Sequence, residues 1–167
     1  MMDKKLEFNH SSFLFYDRCM KLIFLDIDGV MNSATGTGPY IADMEVSKLA
    51  LLKKIIAETQ SEGIVLISDR RYSSVYMNQF IEALDQFEIF MVGETRRPKD
   101  FEEDIDDNRG KQIKDYLENS NEYIDRIVIL DDNDEGISQY FDEEFIQVNR
   151  FYGLTNEVCD KIKKVLL

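Results

Sequence analysis

Short, fully apolar runs alternate along this chain with stretches of helical period. Lys21-Leu22-Ile23-Phe24-Leu25-Asp26 has the length and composition of a buried strand. Residues 44–61 predict a helix, with Val46, Leu49, Leu52, Ile55 and Ile56 on one stripe and Gly63 as its stop. Ile64-Val65-Leu66-Ile67 is a second buried strand. Residues 73–86 predict a helix through Val75, Phe80, Ile81 and Leu84, and Phe87 to Val92 a third strand. A helix follows over 109–119, around Ile113, Tyr116 and Leu117, then a fourth strand, Ile127-Val128-Ile129-Leu130. A short helix over 134–141, a fifth strand from Phe145 to Val148 and a closing helix over 155–166 complete the series.

Strands that are apolar on both sides, separated by helices, indicate an α/β fold with a parallel sheet covered on both faces. Right-handed crossovers make it a doubly wound, Rossmann-like, five-stranded sheet. Ligands of such sheets bind beyond the carboxyl ends of the strands. Three polar clusters fall at those ends: Asp26-Ile27-Asp28-Gly29, Ser68-Asp69-Arg70-Arg71 and Asp131-Asp132-Asn133-Asp134. Together they predict one site in one crevice. Residues 1–19 fit no strand–helix unit and stand as an N-terminal extension, disordered or an extra strand, ahead of one domain over 20–167.

Composition narrows the chemistry. The 167 residues suit one domain and carry a net charge of −13, which weighs against broad binding to nucleic acid or an anionic membrane face. Six acids in residues 100–107 read as a solvated or mobile loop. Cys19 and Cys159 are too few for a disulfide framework or a thiolate zinc site. With no long apolar run and no leader pattern, the expectation is a cytoplasmic protein without a membrane partner. His10, the only histidine, lies outside the patterned region and is given no role.

Asp26 and Asp28 are spaced i, i+2 in an extended segment, so their carboxylates leave the same face. Paired carboxylates repel unless a cation lies between them, and Mg²⁺ is a hard cation that takes oxygen ligands. Asp131 and Asp132 supply further oxygens from across the crevice. An ionised Asp can attack phosphorus and form an aspartyl-phosphate, and the second Asp can protonate the leaving oxygen. Ser68 supplies a hydroxyl for the phosphoryl oxygens, and Arg109 or Lys111, at the start of a helix, the fixed cation.

These residues resemble the motifs of the haloacid dehalogenase-like (HAD) phosphohydrolases. The apolar strand with Asp-x-Asp-Gly-Val is Ile23 to Val30, and the strand ending in Ser is Val65 to Ser68. The basic position is Arg109, within Arg109-Gly110-Lys111-Gln112-Ile113, and the terminal acid pair is Asp131-Asp132. The chain is similar, more narrowly, to the small HAD domains of "Swiss army knife" RNA-repair proteins, through Asn32, Arg71, Arg109 to Leu117 and Gly153-Leu154-Thr155. It departs from that pattern at Ile67 (for Ser), Arg70 (for Trp) and Lys111 (for an acid).

The resemblance implies Asp26 as nucleophile and Mg²⁺ ligand, and Asp28 as acid/base that also lends its backbone carbonyl to the metal. It implies Ser68 and Arg109 as phosphoryl holders, with Lys111 and Lys99 as backups. Asp132 is then the direct metal ligand of the acid pair, with Asp131 behind it. Asp134 is a weaker candidate, equally suited to capping, and Arg70 and Arg71 either bind substrate or face solvent. Neither gap between motifs holds a cap domain, and Thr35-Gly36-Thr37-Gly38-Pro39 leaves room only for a flap.

The expected activity is Mg²⁺-dependent hydrolysis of a phosphomonoester, on a phosphorylated small molecule or the phosphorylated end of a macromolecule. Nucleic acid is disfavoured by charge without being excluded. The alternative is a weak or inactive module that binds a phosphorylated ligand or partner. A response-regulator receiver is rejected, because Phe87 to Val92 ends in Gly93-Glu94 and no Lys follows Val148 directly.

Overall fold

The computed structural model describes residues 20–97 and 108–167. The extension over 1–19, with His10 and Cys19, lies outside the described residues, as do Lys99 and the acidic run of 100–107.

The main sheet is parallel, with strands β1 (Met20–Leu25), β4 (Gly63–Leu66), β5 (Met91–Glu94), β6 (Ile124–Asp131) and β7 (Phe145–Gln147). Its order is β5-β4-β1-β6-β7, which puts β1 in the middle. The helices are α1 (Val46–Thr59), α2 (Ser74–Gln86), α3 (Arg109–Glu118) and α4 (Asn156–Leu166). The expected α/β architecture with five parallel strands is the one observed, and no cap domain is evident among the described residues.

The strands bury both faces with a period of two. Ile23, Leu25, Ile64, Leu66, Val128 and Leu130 join one core, under α1, α2 and α4. Leu22, Phe24, Val65, Ile67, Ile127 and Ile129 join the other, under α3 and the turns that follow β6. Chain reversal on the sheet explains the split. The crossovers β1-α1-β4 and β4-α2-β5 step one way and cover one face, and α3 returns across the opposite face to β6.

Four local expectations change. Gly63 does not stop α1, which ends at Gln60 in a left-handed conformation; Gly63 opens β4, where a Cβ would lie 2.2 Å from the Phe90 carbonyl oxygen. The third strand starts four residues later than expected, because Phe87 caps α2 and Ile89 folds back to donate to the Leu84 carbonyl. Residues 134–141 form successive turns instead of a helix, interrupted by Glu135 and Gly136 at φ 43° and 80°. A two-stranded hairpin, β2 (Tyr40–Ile41) with β3 (Met44–Glu45), precedes α1; its tight turn places Ala42 and Asp43 at φ 49° and 60°. Among the described residues, no helix is long and apolar enough to cross a membrane.

Candidate active site

The crevice is built at the carboxyl ends of β1, β4 and β6. The Asp26 amide continues the ladder past β1 by donating to the Leu130 carbonyl at 2.9 Å, which fixes Asp26 beside the end of β6. Oxygens of Asp26, Asp131 and Asp132 then lie within 4.8 Å of one another. Gly29 makes this approach possible. It stands at φ 78°, and a Cβ there would sit 2.6 Å from Asp132 Cγ.

Arg109, the first residue of α3, carries the buried countercharge. Its guanidinium bonds Asp131, reaches Asp26 Oδ1 at 3.6 Å and Glu135 Oε2 at 3.1 Å, and lies 3.6 Å from Asp69 Oδ1. Its amide donates to the Glu135 carbonyl at 3.0 Å, and the Asn108 side chain caps the helix by accepting from the Lys111 amide at 2.9 Å. Ser68 is buried at the end of β4, and its hydroxyl interacts with the Asp26 carboxylate.

Burial raises the Asp26 pKa to about 7, and the Asp131 charge adds to that; Arg109, the Ile27 amide and Ser68 oppose it. Burial also raises Asp131, against the pull of Arg109. Burial works against the charge on Arg109, but the carboxylates of Asp131 and Asp26 more than offset it and keep the guanidinium ionised. Asp26 and Asp131 therefore share one buried cation, Arg109, while Asp132 lies 3.6 Å from the exposed Arg150. The donor set is all oxygen and is strained by repulsion, which fits a hard divalent ion such as Mg²⁺.

Asp28 stands apart from this cluster. β1 ends at Leu25, so the alternation that would have aligned Asp28 with Asp26 lapses before it. Its carboxylate instead takes a two-pronged bond from Arg70, whose Nε and Nη2 both lie at 2.7 Å, and one from Asn32 at 3.1 Å. The Arg70 hydrogen bonds, with help from Asn32, hold its pKa below the usual carboxylate value. Lys111 is exposed, and among the described residues its side chain makes no ion pair with the acids of the site. Asp134 accepts from the Ser138 amide at 2.8 Å and so caps a turn. Arg71 is wholly buried and bonds the Ile67 carbonyl and Gln112, so it braces β4 against α3.

The profile of the family described as "HAD domain in Swiss Army Knife RNA repair proteins" matches residues 22–159. The chain belongs to this family. Among solved structures, a chain of the "Structure of Pnkp1/Rnl/Hen1 complex" shares the fold at a TM-score of 0.50 and 22% identity. The match covers 89% of this chain and 53% of that one, so this HAD domain spans about half the length of its structural neighbour. No curated protein matches the chain.

Several residues at the mouth of the HAD domain carried no sequence signal. Asp43 is an isolated loop acid and Glu135 follows the Asp131–Asp134 cluster, and only the folded chain brings them to Arg70 and Arg109. Arg150 was within reach of the strand-end rule. It lies just beyond β7, with its guanidinium 3.6 Å from Asp132.

Proposed function

We propose that this HAD domain is a Mg²⁺-dependent phosphomonoesterase acting through an aspartyl-phosphate on Asp26. The observation that carries the reading is the cluster of Asp26, Asp131 and Asp132, the first two buried against Arg109 with Ser68 nearby, at the carboxyl ends of adjacent parallel strands. Asp26, Asp131 and Asp132 would hold the ion through carboxylate oxygens, with the Asp28 carbonyl as a further donor. The ion would supply the positive charge that lets an anionic carboxylate meet an anionic phosphoryl group.

In this reading an Asp26 oxygen forms the new bond to phosphorus as the ester P–O bond breaks. The leaving oxygen takes its proton from Asp28, which must first leave Arg70 and pick up a proton from solvent. Water then attacks the phosphorus of the aspartyl-phosphate, Asp28 takes a proton from it, and inorganic phosphate leaves with the Asp26 carboxylate restored. Ser68 and Arg109 hold the non-reacting phosphoryl oxygens through both halves. The test is hydrolysis of an aryl phosphate by purified protein, with Mg²⁺ and with a chelator. Activity only with the metal, and none in Asp26→Asn, is the expected result; full activity in that variant refutes the mechanism.

The substrate class follows from two opposing features. The family description points to phosphorylated RNA ends, whereas the charge of −13 favours a small phosphorylated metabolite. A panel of sugar phosphates, nucleotides, phosphopeptides and phosphorylated oligonucleotides separates them. A second reading, a ligand-binding module without turnover, draws on the capture of the Asp28 carboxylate by Arg70. It expects Mg²⁺-dependent binding of phosphorylated ligands with no hydrolysis across the same panel.

A further inference from the structure

Arg70 is the least expected residue at the crevice. It lies on the 3-10 turn Asp69–Tyr72 that follows β4. Its guanidinium bridges two elements that are far apart in sequence. Nε and Nη2 each meet an Asp28 oxygen at 2.7 Å, and Nη1 meets Asp43 Oδ2 at 2.5 Å from the tip of the β2–β3 turn. The Tyr76 ring lies beneath it, 5.0 Å from ring centroid to guanidinium carbon, and the buried Tyr76 hydroxyl has no hydrogen-bond partner among the described residues.

Two consequences follow from this geometry. Both Asp28 oxygens are taken by the guanidinium, so neither is free to face a leaving group at the Asp26 side. The bridge also closes the hairpin tip over the mouth. The Asp28 and Asp43 side chains are 53% and 67% exposed, so the bridge is open to solvent and to a competing anion. An anion that matches the guanidinium fork can compete with Asp28 for it.

We propose that Arg70 is a specificity-determining positioning residue: a second anionic group on the substrate's leaving side draws its guanidinium off Asp28 and frees that carboxylate for the leaving oxygen. The domain thereby selects phosphomonoesters that carry a further negative group. This rests on the phosphomonoesterase reading of the same site.

The test is a ratio of kcat/KM values for a matched pair, phosphoglycolate (a carboxylate near the ester) and ethyl phosphate (a methyl in its place). Wild type is expected to prefer phosphoglycolate by roughly ten- to a hundredfold, the range of a charge-assisted bond pair. In Arg70→Gln the ratio collapses toward one, through a higher KM for phosphoglycolate and a higher kcat for ethyl phosphate. Arg70→Lys keeps part of the preference, since the charge remains but the fork does not. A ratio near one in the wild type, or one that persists in Arg70→Gln, overturns the proposal.

Calorimetry on Asp26→Asn with Mg²⁺ measures the same preference as binding, without turnover. If no substrate is hydrolysed but the binding preference exists and vanishes with Arg70→Gln, the hydrolytic reading fails while the recognition role stands. Equal binding of the two ligands overturns that role as well.

Discussion

The inner and outer halves of the crevice use the same residue types to opposite effect. Inside, Arg109, Asp26 and Asp131 are buried, so every charge must be answered by another. Outside, Arg70 joins Asp28 and Asp43 in close contacts that water screens. Contact distance alone would not separate the two sets, since each holds a direct Arg–Asp bond. Burial separates them, raising Asp26 toward neutrality while Arg70 holds Asp28 ionised.

The comparison breaks most sharply at Asp26. Asp26→Asn is expected to lower aryl phosphatase activity by at least about a thousandfold, because an amide at the attacking position cannot form the acyl-phosphate bond. Arg109→Gln comes next. It leaves Asp26 and Asp131 buried without their cation, and urea melts should report a loss of about 3–5 kcal/mol. Mg²⁺ should restore part of it.

Gly29→Ala tests the wall between the halves. Its methyl group must push Asp132 aside and its backbone must hold a positive φ. The expected cost is roughly 1–3 kcal/mol in thermal melts, with weaker Mg²⁺ binding by titration calorimetry.

A pH series sharpens the same contrast. Asp26 has a folded pKa of about 7 against 3.8 for the unfolded chain, so the folded protein holds this proton more firmly. In the absence of metal its contribution to stability therefore falls as pH rises from about 4 to about 7, and then levels off. Asp28, with a depressed folded pKa, contributes in the opposite sense: its share is present above the unfolded value of 3.8 and is lost as the solution is acidified below it. Chemical melts at stepped pH, with Asp26→Asn as reference, isolate the first effect, since the variant lacks that slope. The smallest change is expected from Asp43→Asn, within about 1 kcal/mol of wild type by the same melts.

The strands at the centre of the sheet were readable because they are apolar on both sides. Leu22 to Leu25, Ile64 to Leu66 and Ile127 to Leu130 can satisfy that pattern only inside a covered sheet. The strand-end rule then gathered Asp26, Ser68, Asp131 and Asp132 from residues spread over most of the chain. What escaped were positions fixed by backbone detail. Glu88 at φ 52° redirects its segment with no glycine to announce it, which shifts β5, and Glu135 at φ 43° with Gly136 at φ 80° dissolves the helix expected over 134–141. The orientation of Asp28 escaped for a similar reason, since the last residue of β1 decides how far the alternation extends.

The middle position of β1 has a bearing on how the proposed metal site is assembled. Residues Met20 to Leu25 pair with Ile124 to Leu130, so the two halves of the acid cluster arrive from segments far apart in the sequence. A chain still being synthesised, or cut before β6, carries Asp26 and Ser68 with neither Asp131 nor Asp132 to share an ion. Closing so long a loop is slow relative to forming the local α1 and α2 units. Under the proposed metal site, ion binding during refolding should therefore track the last long-range strand pairing, not the first appearance of helix.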